Sequence, residues 1–312
     1  MEEISISSNH HGKENVRIVK VVRKVEKHFF YQFTVDINLF GPVKSSFEDG
    51  DNSVVIPTDT QKNTVYIIAK TNSFESCEEF GQLIASHFLK TYPKLVEKCH
   101  IFVKQDIWER IVCKSSTGKQ MEHNHAFKKI GPHINYATVI AFKGAQGPKF
   151  EVFGGCKGLT LLKTTKSSFV NFHKDRFTTL SEDNDRLVGS NFDSEWAYNS
   201  SIEKSEPKFN YNSVRSQIML LLEETFAGPA DIGEMSVSVQ ATAYKMGSLV
   251  LSKVQGIDSI KLRMPNVHNL PVDMSRFGLS KFDHTGSPDI YLPIDDPHGI
   301  IQVTMVRPKS KL

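Results

Sequence analysis

The clearest hydrophobic pattern in the chain is a strict alternation of apolar and polar residues from Tyr31 to Leu39. Successive side chains of a strand point to opposite faces, so this alternation predicts a strand with one buried and one wet face. The valine-rich segment from Val16 to Val25 is predicted to pair with this strand. Gly41-Pro42 is predicted to form the turn that ends the strand after Leu39. Such alternation is typical of an antiparallel sheet that is covered on one side only.

Other segments show the three- and four-residue spacing of amphipathic helices. Helices are predicted from Glu75 to Tyr92, from Asn212 to Phe226 and from Ser236 to Val254. Further strands are predicted at His100–Trp108, Met121–Lys129, Tyr136–Phe142, Lys149–Phe153, Ile257–Met264 and Ile300–Val306. The order strand, strand, helices, strand, strand therefore occurs twice. We predict an α+β protein with two halves, residues 1–134 and 135–312, each with helices on one face of an antiparallel sheet.

Composition and charge narrow the class of protein. The 312 residues are 39% hydrophobic, which is enough for one large or two ordinary cores. Lys and Arg number 38 against 35 Asp and Glu, and a net charge of +3 is too small to favour nucleic acid as a partner. No apolar run approaches the roughly 20 residues of a membrane span, and the polar N-terminal segment lacks the apolar stretch of a secretory signal. We expect no nucleic-acid or membrane partner, and the open sheet edges predict an oligomer.

The C-terminal tripeptide Ser310-Lys311-Leu312 has the form of a peroxisomal import signal. Such signals are recognised by a receptor, so we expect the import receptor as a partner and the peroxisome as the location. Peroxisomes contain oxidases that release hydrogen peroxide. The tripeptide therefore favours an oxidase.

The chain carries no recognisable cofactor motif. It has no GxGxxG, no P-loop and no HExxH sequence. Its four cysteines, Cys77, Cys99, Cys113 and Cys156, form no CxxC pair, so we expect buried free thiols. His123 and His125 share one face of a predicted strand but lack a third ligand at fixed spacing, which favours a surface role over a metal site.

Three polar residues have ordinary interpretations when each is considered alone. Thr58-Asp59-Thr60-Gln61 has the form of a capping box and predicts that Thr58 caps a helix. Lys13 is expected to be a solvated lysine just before the first strand. His268, two residues after Asn266 and close to a strand end, is expected to be an ordinary loop histidine.

Taken together, however, segments along nearly the whole chain resemble the uricase (urate oxidase) family. In chain order they are His11–Val16, Asp51–Ser53 with Pro57–Thr60 and Lys62–Tyr66, Gly158–Thr165 with Ser167–Phe169, Phe177–Leu180, Asp185-Arg186, Ser238–Thr242 and Leu262–His268. Separate segments in the family's own order are far more specific than any single motif.

The resemblance implies a T-fold (tunnelling fold), with two such halves in each chain. Four chains would assemble into a barrel with a central tunnel, a homotetramer. The resemblance also implies an enzyme of purine breakdown that oxidises urate with dioxygen to 5-hydroxyisourate and hydrogen peroxide, using neither a metal nor an organic cofactor.

The same resemblance assigns binding roles to individual residues. Phe169 would stack on the flat purine, a contact of about 1–3 kcal/mol when judged from base stacking. Arg186 would offer a planar charged fork, and Gln240 an amide with both a donor and an acceptor. The backbone N–H groups of Val239 and Asp59 would complete the rim of the site.

Proton removal would be the main chemical task, because an anionic urate gives electrons to dioxygen more readily than the neutral acid. By resemblance Lys13 is the base, Thr58 passes the proton on, and His268 exchanges it with water. A lysine base must be kept neutral by burial or by a neighbouring cation. Asn266, with Thr58, would hold dioxygen or water above the ring. Lys13, Thr58 and Asp59 would come from one subunit and face the pocket of its neighbour.

Two alternatives belong to other classes. A pterin-handling enzyme on the same fold would want a zinc site or a glutamate at the position of Gln240. An inactive relative with a binding role would lack some of the site residues, and all of them are present. The segments Ser190–Phe209 and His284–Asp289 match the family only loosely, so we expect loop variation there.

Overall fold

The structure is a computed structural model that describes residues 4–200, 202, 209–283, 286–294 and 296–308. The tripeptide Ser310-Lys311-Leu312 lies outside these residues, so the import signal stays a prediction. The chain forms two compact units. The first comprises the chain up to Lys157 together with Glu195–Arg215 and Gly256–Asp258, and the second comprises the remaining segments.

The first unit is an antiparallel sheet with helices packed on it. Its strands pair in chain order: β1 (His11–Arg23), β2 (His28–Phe40), β3 (Lys98–Lys114), β4 (Gln120–Phe142) and the first part of β5 (Lys149–Lys163). Between β2 and β3 lie α1 (Lys44–Glu48), a 3-10 helix (Asn52–Val54), α2 (Thr58–Thr71) and α3 (Cys77–Thr91). The predicted strand Tyr31–Leu39 and the predicted helix Glu75–Tyr92 are confirmed.

The core of this unit follows from the alternation in β2. Phe33, Val35, Ile37 and Leu39 are fully buried, and the Phe33 ring lies 5.5 Å from the ring of Phe80 on α3. Burial of one such side chain stabilises the fold by roughly 1.5–3 kcal/mol. Helix α3 begins after Ser76, whose Oγ accepts a hydrogen bond from the N–H of Glu79 at 3.2 Å.

The second unit contains the two remaining helices and the strands that carry most of the predicted site. Its elements are the rest of β5, most of β6 (Val188–Tyr198) and of α4 (Tyr211–Ala227), α5 (Val239–Lys253), most of β7 (Ile257–Pro271), a 3-10 helix (Ser275–Phe277), β8 (Tyr291–Ile294) and β9 (Ile300–Val306). Strand β7 pairs with β9 from Ser259 to Pro265 and with β8 from His268 to Pro271. Its core includes Ile218 of α4, Met246 of α5 and Leu262 of β7, all fully buried. The predicted α+β class is confirmed.

Two segments predicted as separate strands belong to one strand. Met121–Lys129 and Tyr136–Phe142 are both part of β4, which passes through Gly131-Pro132. Asp106 pairs with Ile134 and Trp108 with Lys129, so the glycine and proline lie in an irregularity of the ladder instead of a turn. Gly131 has a φ of 48°, which glycine adopts without strain. The predicted division at residue 134 falls inside this strand and stays a prediction.

The loop variation expected from Ser190 is wrong as far as Tyr198, because β6 occupies Val188–Tyr198. Phe192 and Trp196 are fully buried. Ser190 and Ser194, which alternate with them along the strand, are almost fully buried. Because the two serines interrupt the apolar alternation, the hydrophobic pattern of the sequence does not predict this strand.

Candidate active site

A cavity of about 360 Å³ in the second unit brings together six of the nine predicted site residues. They are Phe169, Arg186, Val239, Gln240, Asn266 and His268. The cavity walls come from the segment after β5, the segment before β6, the start of α5 and the second half of β7. Polar groups that are far apart in sequence therefore converge on one concave surface, as in a ligand site.

One wall pairs an aromatic ring with a guanidinium group. The N–H of Phe169 donates to the carbonyl of Asp183 at 2.8 Å, and the N–H of Arg186 donates to the carbonyl of Ser167 at 2.7 Å. These bonds hold two loop segments side by side and place the Arg186 guanidinium 5.2 Å from the Phe169 ring centroid. The Phe172 ring stacks on Phe169 at 4.9 Å and 10°. The wall thus combines stacked aromatic rings with a planar cation over the Phe169 ring.

Arg186 is partly buried without a full set of partners. Burial lowers the pKa of Arg186, while the negative charge of Asp183 opposes this shift. The group still carries its charge at neutral pH, because an arginine guanidinium titrates far above that pH. Its Nε atom is buried and has no hydrogen-bond partner among the described residues. A buried donor without a partner costs about 1–3 kcal/mol, so an anionic acceptor in the cavity would be favoured here.

The start of α5 forms a second wall. Ser238 caps the helix: its Oγ accepts the N–H of Ala241 at 3.1 Å, and its carbonyl accepts the N–H of Thr242 at 3.1 Å. Val239 and Gln240 are the first two helical residues, whose N–H groups have no partner within the helix. A helix N-terminus carries partial positive charge and suits an anion.

The second half of β7 supplies the remaining predicted residues. Asn266 and His268 are two positions apart on the strand and therefore share one face. The N–H of Asn266 donates to the carbonyl of Gly299 at 2.9 Å, and His268 pairs with Ile294 of β8. The Asn266 Oδ1 atom is buried and, within the described residues, has no partner. A polar group in the cavity would satisfy this unpaired acceptor.

The other three predicted residues lie in the first unit, and two of them begin α2. Thr58 is the first residue of this helix and is exposed, and the N-cap position is held by Pro57, which makes no side-chain cap bond. The predicted capping box is therefore wrong. Gln61 is buried and its Nε2 donates to the carbonyl of Ile56 at 3.1 Å instead. The helix leaves the N–H groups of Thr58 and Asp59 without intrahelical partners.

Lys13 lies in β1, and its charge acts on Asp59 at the start of α2. The pKa of Asp59 is lowered chiefly by the hydrogen bond from Lys62 at 2.6 Å and by the positive charge of Lys62. A hydrogen bond from Asn63 and the charge of Lys13 lower it further. Helix α2 packs on β1, the strand that carries Lys13. Two of the predicted proton-relay residues, Lys13 and Thr58, therefore lie on elements of the first unit that pack together.

The cavity also contains polar residues that the sequence did not single out, among them Asp183, Asn269 and Tyr291. The Nδ2 atom of Asn269 is buried and has no partner in the part of the chain that the structure describes. Burial and the charge of Asp183 raise the pKa of Tyr291, whose hydroxyl donates to the carbonyl of Pro288 at 2.9 Å. Asp183 and Asn269 stand close in sequence to predicted residues, but neither residue type alone indicates a role.

The expectation that the four cysteines are buried free thiols has a mixed outcome. All four cysteines are free, and three are buried, but Cys113 is exposed, so burial was wrongly predicted for it. Burial raises the pKa of the Cys99 thiol to about 12.

Among the described residues no group of three His, Cys, Asp or Glu side chains is arranged to hold a metal ion. None of the described helices combines the length and apolar character needed to cross a membrane.

The chain is similar to known proteins along nearly its whole length. Residues 9–140 and 152–302 match the family model described as uricase. The chain is 37% identical to the uricase of Arabidopsis thaliana over 97% of this chain and 96% of the relative, and 33% identical to that of Oryctolagus cuniculus over 99% and 97%. The crystal structure of the uricase from Arthrobacter globiformis is 30% identical in sequence and matches this chain with a TM-score of 0.84. The match covers 99% of this chain and 97% of the Arthrobacter globiformis chain.

Fold and cavity together define a T-fold protein with a pocket suited to a flat anionic ring. The chain belongs to the uricase family, whose substrate is urate.

Proposed function

We propose that this chain is a urate oxidase that converts urate, dioxygen and water to 5-hydroxyisourate and hydrogen peroxide with no metal or organic cofactor. The observation that carries the proposal is the cavity where Phe169, Arg186 and the N-terminus of α5 meet. Urate is flat, anionic and edged by alternating N–H and C=O groups. An aromatic face, a charged fork and free backbone donors match those three properties.

In the bound state the ring of urate stacks on Phe169 and its anionic edge accepts hydrogen bonds from Arg186. The amide of Gln240 donates to a carbonyl and accepts from an N–H of the opposite edge, which neither a carboxylate nor an ammonium can do alone. The N–H of Val239 adds a donor from the positive end of α5. These contacts fix the purine plane and offset its negative charge.

Proton transfer is assigned to Lys13, Thr58 and His268. Lys13 removes a proton from urate, the exposed hydroxyl of Thr58 passes it on, and His268 exchanges it with solvent. Support comes from Thr58, whose side chain is not used as a helix cap. Deprotonated urate then reduces dioxygen in one-electron steps, and water adds to the oxidised purine. Asn266, whose Oδ1 is unpaired among the described residues, holds dioxygen or water over the ring.

The complete site is proposed to form where two chains meet in a homotetramer. Lys13, Thr58 and the N–H of Asp59 come from one copy and the cavity comes from its neighbour. Exposed apolar residues on α2 and beside the cavity support a site formed between two chains. Ile67 of α2 is 58% exposed, and the cross-strand pair Leu270 and Leu292 beside the cavity is 51% and 57% exposed. Apolar surface of this kind favours coverage by another chain.

The chemistry and the C-terminal tripeptide also support a place in peroxisomal purine breakdown. A peroxide-releasing oxidase suits an organelle equipped for peroxide, and Ser310-Lys311-Leu312 has the form of the signal read by the import receptor.

The proposal is tested by urate turnover after exhaustive chelation. We expect the purified protein to consume urate at an undiminished rate in air, with one dioxygen taken up and one peroxide formed per urate. The Lys13→Met variant, prepared in parallel, is the control for contaminating oxidases and should lose turnover by orders of magnitude while still binding a purine that cannot be oxidised. Recovery of activity only on addition of copper, iron or flavin would contradict the proposal. Turnover of a dihydropterin instead of urate would favour the alternative enzyme class.

A further inference from the structure

The pairing of β1 with β2 is irregular immediately after Lys13. Lys13 pairs with Ile37 and Val16 pairs with Val35, so two residues of β1, Glu14 and Asn15, face a single residue of β2. An extra residue of this kind is a β-bulge, which bends the strand and increases its twist. The bulge therefore sets the direction of the segment that carries Lys13.

Asn15 has the backbone conformation that the bulge requires. Its φ is 57°, in the left-handed region that few side chains tolerate and that asparagine adopts more readily than most. The Asn15 N–H group is turned out of the regular ladder and donates to the Oδ1 atom of Asp36 at 2.7 Å. The bulge thus depends on one side chain of the neighbouring strand.

Asp36 is held on its other side by a third strand. Its Oδ2 atom lies 3.3 Å from the Nζ atom of Lys104 on β3, and the Asp36 side chain is 17% exposed. A partly buried carboxylate with a backbone N–H on one oxygen and an ammonium on the other has little freedom to move. It therefore connects the bulge of β1 to both β2 and β3.

On the other side of Lys13, β1 approaches β2 very closely. A Cβ atom on Gly12 would lie 2.0 Å from the carbonyl oxygen of Ile37, so only glycine fits there. Lys13 is thus fixed between a close backbone contact and an anchored bulge. Helix α2 packs on β1, and the charge of Lys13 acts on Asp59 at its start.

We propose that Asp36 is a positioning residue for Lys13: by holding the Asn15 bulge, it sets the direction from which the Lys13 amine meets urate. The inference rests on the proposed function, in which Lys13 is the base. Asp36 would not touch urate and would act only through the backbone of β1. Small errors in the placement of a reacting group cost large factors in rate.

The test is a double-mutant cycle between Asp36→Ala and Lys13→Met, measured with concentrated enzyme so that residual turnover is quantified. We expect Asp36→Ala to lower kcat by about tenfold or more, with the KM for urate and the affinity for a non-oxidised purine changed less than about twofold. In the Lys13→Met background Asp36→Ala should cause no further loss of kcat, because the residue that it positions is already absent.

Two further variants separate positioning from general stability. Asp36→Asn keeps an oxygen that accepts the Asn15 N–H and should restore most of the lost kcat. Asp106→Ala is the matched control, because Asp106 is a partly buried carboxylate 3.2 Å from Lys129 on the same sheet and does not contact the bulge. We expect it to turn over urate at the rate of the unmodified protein.

Should Asp36→Ala fail to fold, Asn15→Val disturbs the same bulge, because valine does not tolerate the positive φ of residue 15. We expect Asn15→Val to show the same loss of kcat and, combined with Lys13→Met, no further loss. An unchanged kcat in folded Asp36→Ala, or losses that multiply in the double variant, would overturn the inference and leave the proposed function intact. Full turnover by Lys13→Met would instead refute Lys13 as the base, and the positioning role with it.

Discussion

Gln240 shows most clearly how a single side chain suits the substrate. It is the second residue of α5, exposed, at the edge of the cavity, and its amide carries both a donor and an acceptor. A glutamate there would be favourable for the helix, because a carboxylate stabilises a helix N-terminus. The same carboxylate would repel an anionic purine. Replacement of Gln240 by glutamate therefore separates helix stability from substrate binding.

We predict that Gln240→Glu raises the KM for urate by about tenfold or more, equivalent to about 1.4 kcal/mol of binding, without lowering the melting temperature. Steady-state kinetics and thermal unfolding measure the two effects. Gln217→Glu makes the same chemical change at an exposed position of α4 away from the cavity and should alter neither. Equal affinity for urate in Gln240→Glu and the unmodified protein would mean that the amide does not face the purine edge.

The sequence predicted the members of the cavity well and some of their local roles poorly. Phe169, Arg186, Gln240, Asn266 and His268 were reached through resemblance to a family, and the fold brings all five to one cavity. The cap assigned to Thr58 was wrong, because a Thr-x-x-Gln spacing cannot reveal that the preceding Pro57 occupies the N-cap position. Such a detail depends on the path of the chain into the helix.

At the scale of elements, a buried ion pair joins segments of the first unit that are distant in sequence. Glu78 of α3 is fully buried, and its Oε1 accepts from the Arg215 Nη2 of α4 at 2.5 Å and from the hydroxyl of Tyr198 at 2.9 Å. Arg215 also donates to the carbonyls of Tyr136 and Gly155. A buried charge is tolerated because it is surrounded by such partners.

We predict that Glu78→Gln destabilises the protein by about 3–5 kcal/mol, since it leaves the Arg215 charge buried without a counter-charge. Urea unfolding at one fixed protein concentration measures the loss. The matched control is Glu109→Gln, which removes an exposed pair 4.0 Å from Lys128 and should cost less than about 1 kcal/mol. A Glu78→Gln loss no larger than that of the control would show that the pair contributes little.

The elements that the sequence predicted are those whose apolar residues recur at the spacing of one face. Strand β2 and helix α3 show a plain period of two and of three to four residues, and both exist as predicted. Strand β6 was missed because Ser190 and Ser194 lie on its buried face. The continuity of β4 was missed because Gly131-Pro132 usually ends a strand, whereas here the ladder absorbs it in an irregularity.

At the scale of the whole molecule, we propose that the base and the substrate pocket of each site belong to different copies of the chain. In the proposed homotetramer one copy would supply Lys13 and Thr58 from β1 and α2, and its neighbour would supply the cavity with Arg186. Pairing of chains around a symmetry axis would then create each site twice, because the same two surfaces meet again. No pattern within one sequence reveals which copy completes a site.

The most direct test is complementation between two inactive variants. Lys13→Met keeps the pocket and loses the base, and Arg186→Met loses the charged fork and keeps the base. When the two chains are co-expressed and assemble at random, about a quarter of the sites should combine an intact Lys13 with an intact pocket. We predict that purified mixed assemblies recover about that fraction of the unmodified activity at saturating urate, while each variant alone stays inactive. Mixed assemblies that are no more active than either parent would contradict a site shared between chains.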